Sequence, residues 1–361
     1  MTQKDRVLSR LKGEDGDGIV YMPDLTLWYG WHQERDTLPD AWKGMSLPGI
    51  AEALGVPSWL VFEPWQVEAP GIEIEEEEQE GQRTRRTETS AGTLTARWTH
   101  GPDGSWWQTE YPVKTPDDLV AALEVVKART YTFDPSGMDE LQTEVGDGGV
   151  LAAAIPSRPY VDIVMEFLGW SEGLMILMDN PPAIPEMVEI LEGKLQDLVP
   201  SVASLSTDVV FSHDNLDGQF LSPVAFDEHM KQSYARTMEV LSAKGKTLVV
   251  HAGGPVGRLL PGLAEAGVSA VEGVCGPPQG DGTLAQARET AGEAMGLWGG
   301  VSQELLLGVH GVDQLEAAVA QAVREAKGDP RMILGVADRV PVEAEIERLE
   351  AVRGMVEKAS E

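Results

Sequence analysis

Apolar runs of strand length recur along this chain with helical stretches between them, and that alternation leaves few folds open. The runs fall at 19–22, 150–155, 208–211, 247–251, 270–275, 297–301 and 332–336. Between them, apolar residues return at three- and four-residue spacing, so that Leu315, Ala318, Val319, Ala322 and Val323 share one helical face. Ser222 followed by Pro223 suits an N-cap and a first-turn proline. They open a helix expected to run through about Lys244, with Gly245 closing it. Strands alternating with helices imply a parallel sheet. Seven runs, with Val61-Phe62 as an eighth, favour a closed TIM (β/α)8 barrel over an open doubly wound sheet. No Gly-x-Gly-x-x-Gly follows the first run, which removes the usual dinucleotide-binding signal.

The repeat spans almost the whole chain, so a single TIM-barrel domain over 1–361 is expected, interrupted over 70–113. There Ile72-Glu73-Ile74-Glu75 alternates strictly, Gly81 turns the chain and 82–90 returns it. Residues 93–99 and 105–111 flank the turn Gly101-Pro102-Asp103-Gly104. This is the pattern of an antiparallel β-meander inserted early in the barrel. Its acidic run, 75–78, faces Arg83, Arg85 and Arg86, which fits cross-strand pairing on a solvated face.

With 28 basic residues against 59 acidic ones, the formal charge is −31. Such a surface repels phosphate backbones and anionic membranes, so neither nucleic acid nor a membrane is an expected partner. No run of about 18 apolar residues is present and the N-terminus has no signal-peptide order. One cysteine, Cys275, rules out an internal disulfide and fits a reducing compartment, so a cytoplasmic location is expected.

In a parallel barrel, chemistry gathers where strands hand over to helices. Asp24 follows the first run, His213 and Asp214 the third, and His251 ends the β-branched fourth. Glu272 and Cys275 lie in the fifth, and Asp338 follows the last. Imidazole, carboxylate and thiolate at neighbouring strand ends can bind a divalent metal or run proton transfer. Glu272 in an apolar strand needs a partner. Twenty residues separate it from His251, one βα step, which sets the two on adjacent strands. A regular pleat lets only one of His213 and Asp214 face the axis. Trp28, Tyr29 and Trp31, after the first run, could wall an apolar or aromatic substrate pocket or simply pack the barrel mouth.

Several segments, in order, resemble the uroporphyrinogen decarboxylase-like superfamily, which includes corrinoid-dependent methyltransferases. Asp214-Asn215-Leu216-Asp217-Gly218-Gln219 with Leu221-Ser222-Pro223 is similar to its Asp-Asp-apolar-Gly-x-Gln and Ser-Pro pattern. His251-Ala252-Gly253-Gly254 is similar to its His-x-Cys-Gly, and Leu297-Trp298-Gly299-Gly300-Val301 to its Gly-Gly strand. Ile333-Leu334-Gly335-Val336 with Asp338 and Pro341 resembles its final strand and loop.

The resemblance implies a TIM barrel and a methyltransferase moving a methyl group between a small substrate and a corrinoid on a partner protein. A methoxylated aromatic or a methylamine-like compound is the substrate class expected. The assembly expected is a homodimer. Zinc is the implied metal, and because Gly253 and Val336 stand where its cysteines would be, the expected ligands are His251, Glu272 and Cys275. Asp214 would orient or protonate, and Asp24, His213, Trp28, Tyr29 and Trp31 would bind substrate. Uroporphyrinogen decarboxylation itself is not expected, because the N-terminal arginine pair is missing from Met22-Pro23-Asp24-Leu25. Two other readings stand beside this one: a metal-free decarboxylase or lyase using His251 and Asp214, and a non-catalytic binding barrel.

Overall fold

A computed structural model describes all residues except 15, 17, 102–104, 180 and 361, so most of the turn expected at 101–104 lies outside the described residues. Eight parallel strands form one sheet: β1 Val20–Tyr21, β2 Ser58–Phe62, β3 Gly149–Ile155, β4 Val209–Ser212, β5 Thr247–His251, β6 Ala270–Val274, β7 Gly296–Ser302 and β8 Met332–Ala337. Their spatial order, β1-β8-β7-β6-β5-β4-β3-β2, is that of a TIM-like barrel. Closure differs from expectation: β1 and β2 are the ends of the sheet, and no ladder joins them among the described residues. β1 has only two residues, and Pro23 just past it has no N–H with which to extend a ladder.

The chain divides into two compact units. The first comprises Met1–Glu63, Pro135–Ala154 and Ala203–Glu361, and contains the parallel sheet apart from the last residue of β3. Its core takes alternate residues of the strands, among them Val20, Trp59, Val150, Phe211, Val249, Trp298 and Ile333. The helix Gln3–Lys12 adds Val7, Leu8 and Leu11 to them. The rings of Trp59 and Trp298 meet edge to face at 4.9 Å. Trp298 crosses to β1, where its indole N–H donates to the Met22 carbonyl at 2.8 Å. Gly335 makes that crossing possible, since a Cβ there would lie 2.3 Å from Trp298 Nε1.

The helix expected from Ser222 through Lys244 is two helices, Pro223–His229 and Lys231–Ala243. The break is at Met230, fully buried, where φ is −123°. Ser222 does cap the first, its Oγ accepting from the Ala225 N–H at 3.1 Å.

The second unit comprises Pro64–Asp134 and Ile155–Val202. Antiparallel strands Glu73–Gln79, Gln82–Thr89, Gly92–His100 and Trp106–Glu110 form the meander, with Arg85 opposite Glu76 in register and bonded to it at 2.6 Å. Leu94, Leu119, Ala122, Val126, Phe167 and Leu191 supply a core of its own. This unit is larger than the inserted segment at 70–113, because helices after β3 pack on the meander and bury its apolar face. No helix among the described residues is long and apolar enough to cross a membrane.

Trp298→Ala should lower unfolding stability by about 3–5 kcal/mol in urea titration, the usual cost of emptying a buried indole site. A loss below about 1 kcal/mol would show that Trp298 does not hold the strands together.

Candidate active site

β5 and β6 pair in parallel with His251 directly opposite Glu272. Both belong to the alternation that sends Val249 and Ala270 into the core, so the two side chains meet inside the barrel. His251 Nδ1 and Glu272 Oε2 are 2.5 Å apart, with 11% of the histidine side chain exposed and 3% of the glutamate. His251 Nε2 lies 3.2 Å from Asp338 Oδ1 at the end of β8, and Arg339 Nε is 3.4 Å from the same oxygen. Glu272 Oε1 is buried with no hydrogen-bond partner among the described residues.

Burial alone would lower the pKa of His251, but the Glu272 and Asp338 carboxylates outweigh it and push it above the ordinary histidine value. Burial raises Glu272, against the pull of the His251 charge. Asp24 is raised by burial, and its Oδ1 accepts from Thr26 N–H at 2.8 Å and Thr26 Oγ1–H at 2.5 Å. Its backbone carbonyl accepts from Val340 N–H at 2.8 Å, tying the loop after β1 to the loop after β8. His213 continues the inward alternation from Phe211, whose ring meets its own edge-on at 4.7 Å. Although His213 is exposed, partial burial of its ring and the positive charges of His251 and Arg339 lower its pKa.

The other expected site residues are placed elsewhere. Asp214 is fully buried and turned away from the rim, its Oδ2 accepting from Tyr234 O–H at 2.6 Å on the helix Lys231–Ala243. It therefore anchors a helix, and the carboxylates beside His251 are Glu272 and Asp338. Trp28 is 2% exposed and edge-packed on Trp42, so it is core and not pocket wall. Trp31 has one face covered by the Arg35 guanidinium, 3.3 Å from the ring centroid. Tyr29 does line a pocket of about 260 Å3 with His32 and Met45. Arg339 went unnoticed in the sequence, although it directly follows Asp338 beyond an apolar strand.

The zinc set of His251, Glu272 and Cys275 does not assemble. Among the described residues no group of three or more His, Cys, Asp or Glu side chains is arranged to hold a metal ion. The Cys275 thiol contacts Gln279 Oε1 at 3.8 Å. Cys275 belongs instead to a cavity of about 300 Å3 walled by Gly254, Leu260 and Gln286. Burial pushes its thiol up to about 12. Gly253 has no room for the family's cysteine either, since a Cβ there would lie 1.8 Å from Asn215 Oδ1.

The sequence profile of the uroporphyrinogen decarboxylase (URO-D) family matches residues 169–359, more than half of the chain. The chain belongs to this family. Among solved structures it is similar to a methyltransferase from Methanosarcina mazei at a TM-score of 0.63 and 17% identity, covering 99% of each chain. That similarity establishes the fold of a URO-D family member. A D-psicose 3-epimerase (TM-score 0.37, 11% identity, 66% of this chain and 86% of that one) and a D-allulose 3-epimerase from Methylomonas sp. (TM-score 0.35, 11% identity, 61% and 80%) are too distant to bear on function. Curated protein sequences yield no match.

The two histidines should titrate in opposite directions from the ordinary value of about 6.5. Imidazole NMR should find His251 still protonated at pH 7.5 and His213 already neutral, and Glu272→Gln should bring His251 down. His251 and Glu272 both hold protons more tightly when folded, so their contribution to stability is fully present in acid and is lost as pH rises through their folded values. The depressed pKa of His213 acts oppositely, its contribution being lost as pH falls below about 6.5. A neutral His251 at pH 7.5 would contradict the carboxylate pairing.

Proposed function

We propose that this URO-D family member is a methyltransferase that takes a methyl group from a small molecule at the barrel mouth and passes it to a corrinoid on a partner protein. The observation that carries this reading is the His251 ring held between two carboxylates, Glu272 at 2.5 Å and Asp338 at 3.2 Å. Family membership and the likeness of fold to a methyltransferase support it. The corrinoid, when bound, supplies the methyl acceptor.

The protein's own task is to make the departing heteroatom a better leaving group. As the heteroatom–methyl bond breaks, its electron pair stays on the heteroatom, whose charge would build up in a site already crowded with carboxylates. The proton on His251 Nε2 joins it, so the product leaves neutral. Glu272, on Nδ1, fixes which nitrogen keeps a proton and holds the ring in place. Asp338 and Arg339 share the outer nitrogen's surroundings, and a substrate heteroatom would displace Asp338 as its partner. Asp24 lies close enough to Glu272 to add to the rise in its pKa.

Zinc would serve the same purpose as a Lewis acid, but the residues present do not fit it, so here proton donation takes over that role. Methoxylated aromatic or methylamine-like compounds are the substrate classes proposed.

The protein, mixed with cob(I)alamin and a panel of these compounds in the presence of a strong chelator, should methylate the cobalamin. His251→Gln should slow transfer by about a hundredfold or more, and the rate should fall as pH rises past the elevated pKa of His251. Transfer that stops on chelation, or no transfer with any compound, would overturn the reading, the second outcome favouring a binding barrel.

A further inference from the structure

We infer that the second unit carries a binding site of its own for an organic cation, a substituted ammonium group of small size. The site is a cavity of about 470 Å3 lined only by residues of that unit, a volume within the range of small-molecule pockets. One face of the meander forms a wall: Arg85 and Thr87 on one strand, and Leu94, Ala96 and Trp98 on the next, all alternate residues in register. Trp65 and Tyr131, on the paired strands Trp65–Glu68 and Thr130–Phe133, form a second wall, with rings edge to face at 5.6 Å. Phe167 closes a third side from the helical segment Val164–Leu168.

Four aromatic rings line this one volume, and aromatic faces attract a positive charge; the Arg129 guanidinium lies 5.5 Å from the Phe167 centroid. Trp98 already receives one, the Arg85 guanidinium lying 5.2 Å from its ring centroid. The charges lining the cavity agree in sign. Glu68, Glu76, Asp162 and Glu166 stand against only Arg85 and Arg129. Arg129 does not offer an anion site, because it is buried and its two terminal nitrogens bond Asp162 at 2.8 Å and Glu166 at 2.6 Å. Those carboxylates hold it charged and leave the pair with an excess negative charge. An incoming carboxylate or phosphate would have to displace one of them, whereas an ammonium group meets aromatic faces and surplus carboxylate together. The barrel's acid–base group lies in the other unit and lines no part of this cavity, so the inference stands apart from the proposed transfer reaction.

The test uses the full chain, with choline as the cation and its uncharged carbon isostere, dimethylbutanol, as the neutral control. Calorimetric titration should show choline binding at least about tenfold more tightly than the isostere, the margin expected for a cation among aromatic faces. Trp98→Leu should remove that margin and Trp98→Phe should keep most of it, while the melting temperature of each variant reports its folding. Trp65→Leu gives an independent second loss should the first variant fail to fold. Equal binding of the isostere, tighter binding of benzoate, or no choline binding below about 10 mM would each overturn the assignment.

Discussion

A carboxylate cannot remain charged in the core of a barrel without a compensating partner, and in this protein the partner is set by strand register. β5 and β6 are parallel neighbours with His251 and Glu272 at the same level, so any backbone arrangement that forms this sheet brings the imidazole and the carboxylate together. The rest of the site follows. Once Glu272 occupies Nδ1, the ring's remaining nitrogen points to the end of β8, where Asp338 and Arg339 wait. The loop that carries them is tied back to Asp24 through Val340. Four strand ends are thereby coupled to one proton.

That coupling separates this chain from a zinc-dependent design on the same fold. A metal needs lone pairs that converge, whereas His251 Nδ1 here is taken up by Glu272 Oε2 and no group of three or more donors is arranged for a metal among the described residues. Two of the family's cysteine positions are Gly253 and Val336, and Asn215 occupies the space a side chain at 253 would need. The remaining thiol is buried and protonated on the helix side of β6. In the proposed reaction, an acid at the same strand end would do the electrophilic work of a Lewis acid, with a proton in place of a metal charge.

The second unit answers a different physical demand. A four-stranded meander with an apolar face must cover it, and the helices that follow β3 in sequence do so with Phe167 and Leu191. Coverage is incomplete on the side of Trp65, Trp98 and Tyr131, where a cavity persists among aromatic rings and surplus carboxylates. The charge pairs Arg85–Glu76 and Arg129–Glu166 lie in its lining.

The sequence by itself determined the succession of strands and helices, the meander, the Ser222 cap and the adjacency of His251 to Glu272, because each is encoded by local periodicity or by the length of one βα step. It also marked Asp338 as a strand-end residue. Only the tertiary structure decided which of these groups touch. Asp214 is one residue from His213, yet it turns outward to Tyr234, and a single residue is all that alternation needs to move a side chain from axis to helix layer. Trp28 reads as pocket wall or core with equal ease until Trp42 is seen against it. Cys275 reads as a ligand until its thiol is seen against Gln279, in a cavity with Leu260 and Gln286. The break at Met230 and the open edge between β1 and β2 depend likewise on long-range packing and on backbone geometry that spacing does not report. Proximity along a strand is written in the chain; direction and charge partner arise only when the strands pair into the sheet.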